Sequence, residues 1–183
     1  LIQKLCKRFF SKEFINKIGE FTVNIALIDN GKPVLGVIYC PAKNETYYAA
    51  VGFGAWYEKN GELLHLPCTK PSRKIIATGS RFHLSQVDKA FNEANNITDM
   101  IQVGSSLKFG LVASGKATLY VRFQGSMEWD IAAGHCIVKE AGCMIRDLAT
   151  GKEPEYNKES LVNNYFIVCN TQKLFSALKF PEK

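Results

Sequence analysis

The chain has 183 residues, 46% of them hydrophobic and 22% charged, the make-up of a globular protein with a sizeable core and not of a disordered or fibrous one. Lysine and arginine number 23 against 17 aspartate and glutamate, a formal charge of +6, which favours anionic partners in general. Basic residues such as Lys32, Lys43, Lys59 and Lys89 are dispersed singly, so no nucleic-acid partner is expected. The apolar runs stop well short of the roughly 20 residues of a membrane-spanning helix, and no secretory signal pattern opens the sequence. Six cysteines lie without a C-x-x-C pair, so reduced thiols in a cytoplasmic protein are expected, with neither a zinc site nor a disulfide framework.

Residues 1–10 mix Lys4, Lys7 and Arg8 with Phe9 and Phe10 and read as a leader. From 11 to 72 the sequence predicts an antiparallel meander. β-Branched and aromatic runs at 21–28, 34–39, 46–50 and 55–66 are punctuated by Asn30-Gly31, Asn44-Glu45 and Asn60-Gly61. The apolar face of such a sheet needs a covering layer that the first ten residues are too few to supply.

After a linker at 67–73 the grammar changes, and 73–183 predicts an α/β domain. An apolar run at 74–78 precedes Ser85-Gln86-Val87-Asp88, a capping box opening a helix to about residue 95. A strand at 100–103 runs into a helix ending at Gly115. A third strand at 117–123 precedes a helix over 129–141, closed by Gly142 as a C-terminal cap.

Three stretches carry candidate chemistry. Gly104-Ser105-Ser106-Leu107-Lys108 lies between strand and helix, where backbone N–H groups attract an anion, Lys108 adds charge and small residues admit a phosphate. A plain helix start with Ser105 or Ser106 as N-cap is the alternative. Trp129-Asp130-Ile131-Ala132-Ala133-Gly134 puts a carboxylate in a first helical turn, as metal ligand or as cap. Gly79-Ser80-Arg81-Phe82-His83 places a hydroxyl, a guanidinium and an imidazole on a loop after a strand, where Arg81 can grip phosphate through its planar fork.

Taken in order, Lys12-Glu13-Phe14-Ile15, the run from Gly19-Glu20-Phe21-Thr22-Val23-Asn24 to Ile28, Gly104-Ser105-Ser106-Leu107-Lys108-Phe109 and Trp129-Asp130-Ile131-Ala132-Ala133-Gly134-His135 resemble the 3'(2'),5'-bisphosphate nucleotidases of the CysQ type, in the inositol monophosphatase superfamily. The likeness runs from about residue 11 to the end. It implies a layered α/β fold, a sugar-phosphatase-like α-β-α-β-α sandwich, here lacking its N-terminal helical layer. It also implies magnesium-dependent removal of the 3'-phosphate of adenosine 3',5'-bisphosphate, in sulfur assimilation. Asp130 matches a metal ligand of the family, while Ser80, His83, Gly104, Ser105 and Lys108 match positions near its nucleotide and phosphate, and Arg81 joins them as a substrate-binding candidate on its own chemistry.

Just before Lys-Glu-Phe-Ile the family writes Asp-Pro-Leu-Asp-Gly-Thr, whose aspartates hold metal. Here those positions read Cys6-Lys7-Arg8-Phe9-Phe10-Ser11, and Ser11 alone keeps a comparable hydroxyl as a catalytic candidate. Phosphate-ester hydrolysis is accelerated by up to about 10²¹-fold, roughly 28 kcal/mol, of which positioning alone supplies about 7–11. The rest is the work of paired metals. The expectation is therefore a phosphorylated small-molecule nucleotide as partner, Mg²⁺ at an incomplete site, and negligible turnover by this chain alone. A complementing chain or a homo-oligomer is left open. The alternatives are a catalytically dead nucleotide-binding remnant or structural fragment, and an inositol monophosphatase-like phosphatase.

Overall fold

The computed structural model describes residues 3–6, 16–70, 72, 74–80 and 85–180, with the backbone alone at 3–6. The meander forms as its turn signals predict. Strands β1 (Gln3–Cys6), β2 (Val23–Asp29), β3 (Lys32–Cys40), β4 (Glu45–Ala50), β5 (Ala55–Lys59) and β6 (Glu62–His65) make a sheet in sequential order, every pair antiparallel. Asn30, Asn44 and Asn60 take positive φ at the three reversals, a conformation that asparagine tolerates better than most residues. β1 falls in the stretch read as a leader and supplies a sixth strand by pairing with β2.

The second half builds on β7 (Ile76–Gly79), α1 (Gln86–Ala94), β8 (Asp99–Gln102), α2 (Leu107–Ala113), β9 (Leu119–Arg122), β10 (Ser126–Met127) and α3 (Glu128–Glu140). It continues through β11 (Met144–Asp147), β12 (Val162–Asn163), β13 (Phe166–Cys169) and α4 (Gln172–Ala177). Its sheet has the order β11-β13-β9-β7-β8, with β7 parallel to both neighbours. Ser85 and Asp88 form the capping box expected at the head of α1, and Gly142, at φ +78, closes α3.

Helices α2 and α3 lie between the two sheets. They supply one covering layer that the meander lacks, and they come from the second half of the chain. Alternation along β2 and β3 turns Ala26, Ile28, Ile38 and Cys40 towards them. Close approach needs glycine. A Cβ on Gly36 would sit 2.3 Å from the Ala133 carbonyl oxygen, and one on Gly134 would sit 2.3 Å from the Phe109 ring. One apolar cluster therefore joins both halves through Ile38, Tyr47, Phe109, Ile137 and Phe166, each such side chain contributing about 1.5–3 kcal/mol on full burial. A second cluster, around Phe91, Leu119 and Ile167, packs α1 and α4 on the far face of the second sheet. The layers run sheet, helix, sheet, helix.

The opposite face of the first sheet carries Ile25, Val37, Tyr48 and Trp56, all half-buried. The segment between β11 and β12 is tied to α3 by two buried groups. The Glu128 carboxylate, fully buried, accepts from the Asn157 and Lys158 amides and from Lys158 Nζ at 2.6 Å, and His135 Nδ1 lies 2.9 Å from the Tyr156 hydroxyl. No helix among the described residues is long and apolar enough to cross a membrane.

Candidate functional site

Residues 20–24 lead into and begin β2, and a spacing of two puts Glu20, Thr22 and Asn24 on one face. All three are buried, on a face that packing would otherwise make apolar. Each meets one residue of the loop before α2. The Gly104 N–H donates to Glu20 Oε2 at 2.9 Å. The Thr22 and Ser105 hydroxyls share a bond of 2.6 Å. Asn24 Nδ2 donates to Ser106 Oγ at 2.7 Å, and that hydroxyl in turn lies 3.3 Å from the Asp130 carbonyl oxygen.

The loop is therefore a fixed object. The Gly104 amide, read from sequence as a donor for phosphate, is engaged by a carboxylate that also pairs with Lys43 at 3.3 Å. Ser106 is the N-cap of α2, but its hydroxyl makes no capping bond; it serves Asn24 and Asp130. Asn24 Oδ1 is buried without a partner, at a cost of about 1–3 kcal/mol.

Lys108, 5% exposed, donates from Nζ to the Ser105 carbonyl oxygen at 2.9 Å and lies 5.6 Å above the Tyr120 ring. Burial pushes the Tyr120 hydroxyl pKa up, and the neighbouring Arg122 guanidinium pulls it back in part. A crevice of about 80 Å³ between β7, β9 and α2 brings together Thr78, Ser80, Lys108 and Arg122, with Asp88 in its wall. Thr78 Oγ1 and Arg122 Nε are buried there without a protein partner, so two polar groups of the crevice are unmatched by the fold itself.

Asp130 occupies the third position of α3, and Oδ2 accepts the Met127 N–H at 3.1 Å. It does the work of a helix-start carboxylate, one residue group away from the Ser106 hydroxyl. Among the described residues no three His, Cys, Asp or Glu side chains gather as a metal would require. The described residues thus do not by themselves fit a magnesium centre of several carboxylates.

Of the residues singled out in the sequence, Ser80 and Lys108 line one crevice, Ser105 holds Lys108, and Gly104 and Asp130 flank them through the loop bonds. Ser11, Arg81 and His83 lie outside the described residues. Thr22, Asn24, Thr78 and Arg122 were not assigned from sequence. The signal for the first two was present: polar residues at alternate positions on the buried side of a strand must have partners.

The layering is that of a mixed α/β sandwich, and the model of the inositol monophosphatase family matches residues 11–179. The chain belongs to that family. It is similar to the 3'(2'),5'-bisphosphate nucleotidase CysQ of Escherichia coli strain K12, at 43% identity over 159 residues, covering 86% of this chain and 63% of that protein. The crystal structure of CysQ from Bacteroides thetaiotaomicron, a bacterial member of the same family, superposes with a TM-score of 0.79 at 41% identity, covering 88% of this chain and 67% of that one. A fructose-1,6-bisphosphatase/inositol-1-monophosphatase of Thermotoga maritima is 31% identical over 157 residues, covering 84% of this chain and 59% of that protein. The chain thus spans about 63% of the length of the CysQ relative from Escherichia coli.

Proposed function

We propose that this chain belongs to a phosphatase that removes the 3'-phosphate of adenosine 3',5'-bisphosphate with Mg²⁺, and that the described residues form the nucleotide-holding side of its site. The observation that carries this reading is the crevice in which Lys108, Arg122, Ser80 and Thr78 face one another beside the preset Gly104–Ser106 loop. Two cations and two hydroxyls on rigid elements suit a phosphorylated ligand. The similarity to CysQ selects a bisphosphorylated nucleoside among such ligands. Asp130 would give a metal one carboxylate. Turnover therefore needs further acidic groups beyond those described, and the chain alone is expected to bind nucleotide with negligible hydrolysis. The free thiols of Cys40, Cys68, Cys136, Cys143 and Cys169 support a cytoplasmic setting.

The test is calorimetric titration with adenosine 3',5'-bisphosphate, with phosphate release in magnesium followed in parallel. Lys108→Met should weaken binding by about 10- to 100-fold, the worth of a hydrogen bond to a charged group. Binding without release is the result expected of the chain taken alone. Absence of binding sinks the reading.

A further inference from the structure

The Gly104–Ser106 loop is held from one side by three polar residues at alternate positions leading into β2, and the central contact differs from the other two. Ser105 takes φ 52, a region that residues other than glycine enter only when their surroundings require it. Its carbonyl oxygen receives Lys108 Nζ at 2.9 Å, so the direction of that carbonyl helps to set where the ammonium charge stands, beside the Tyr120 ring. The side chain of Ser105 is bonded to Thr22 Oγ1 at 2.6 Å, and Thr22 is 1% exposed, so water cannot take the place of this partner.

We infer that Thr22 is a positioning residue: through its bond to Ser105 it holds the loop in the left-handed turn that aims Lys108 into the crevice, before any ligand arrives. Glu20 and Asn24 clamp the residues on either side, Gly104 and Ser106. The turn between them thus has a fixed start and end, and Thr22 selects its conformation. The consequence for ligand binding rests on the function proposed above. The consequence for the loop does not.

Two readouts separate the two. In amide hydrogen exchange of the ligand-free chain, Thr22→Val keeps the shape but removes the hydroxyl, and exchange at residues 105–108 should rise by about tenfold or more. Thr22→Ser, which keeps the hydroxyl, should exchange as the parent does. Ser105→Ala removes the same bond from the loop side and should reproduce Thr22→Val, which guards against a packing effect at the strand. In titration with adenosine 3',5'-bisphosphate, Thr22→Val should weaken binding by about tenfold, yet change it by less than about twofold when Lys108 is already Met, because coupled residues are non-additive.

A Thr22→Val loop that exchanges like the parent overturns the inference whatever the nucleotide does. Where Lys108→Met by itself weakens binding, losses in the double variant that simply add also overturn it, since Thr22 would then be a packing residue only. A loosened loop together with nucleotide affinity indifferent to Lys108→Met supports the positioning role and overturns the function proposed for the site.

Discussion

Asn24 and Ser106, 82 positions apart, are joined by a buried bond of 2.7 Å from the side-chain amide to the hydroxyl. The bond ties the first sheet to the head of α2, and it leaves Asn24 Oδ1 without a partner. Asn24→Ala should lower unfolding free energy by about 1–3 kcal/mol, since it strips a donor from a buried hydroxyl and opens a small cavity. Urea denaturation measures it, and an unchanged midpoint would show that the bond contributes nothing.

Gly36 lies where the first sheet meets α3, and a Cβ there would stand 2.3 Å from the Ala133 carbonyl oxygen and 2.9 Å from its Cα. Both are backbone atoms, so relief requires the helix to move. Gly36→Ala should cost about 3 kcal/mol or more or prevent folding. Gly125, where an added Cβ would meet nothing within 4 Å, is the control. Gly125→Ala should leave the melting temperature within about 1–2 °C of the parent.

Glu128 is completely buried while its partner Lys158 keeps a side-chain exposure of 37%. The two ends of the pair are therefore unequal. Glu128→Leu removes the acceptor of two backbone amides and a charge, and should destabilise by about 3–5 kcal/mol. Lys158→Met leaves the carboxylate its two backbone amide donors, so a smaller loss of about 1–2 kcal/mol is expected. Equal losses in the two variants, measured by chemical denaturation, would contradict this account.

Acid should weaken the fold in two stages. Burial holds the His135 pKa below its ordinary value, so the folded protein keeps the ring neutral while the unfolded chain protonates near pH 6.5. Its contribution is complete above that pH and is lost as the pH falls below it. The Glu153 carboxyl is pulled down to about 2, first by His135, whose Nε2 stands 3.6 Å away, and then, against its burial, by Lys139. That stabilisation is present above about pH 4.5 and fades as the pH drops towards 2. Exposure of the Glu153 side chain, 39%, keeps the second stage small. Thermal melts between pH 8 and 4 should fall below about pH 6.5, and His135→Gln should flatten that first decline. A melting temperature unchanged from pH 7 to pH 5 in the parent would refute the first stage.

Local grammar reaches far into this fold. The asparagine turns of the meander, the Ser85–Asp88 capping box and the Gly142 cap are all short-range features, and all three form where the sequence places them. Strands β11 to β13 and helix α4 were not anticipated. β12 and α4 are short, β11 sets two apolar residues beside two charged ones, and β13 is a four-residue buried run without the alternation that marks a half-exposed strand.

Residue order alone announces the turns of the meander, the helices as far as Ala141, the loop with Lys108, and a family likeness strong enough to name. The tertiary structure alone decided which residues meet. Nothing within a short window of Thr22 announces Ser105, 83 positions away, because the bond exists only once α2 and α3 have settled between the two sheets. The same packing turns Glu20 onto the Gly104 amide and leaves Thr78 and Arg122 with unmatched polar atoms in one crevice. Pairings of this kind are set by the burial of both layers at once, and no local propensity encodes them.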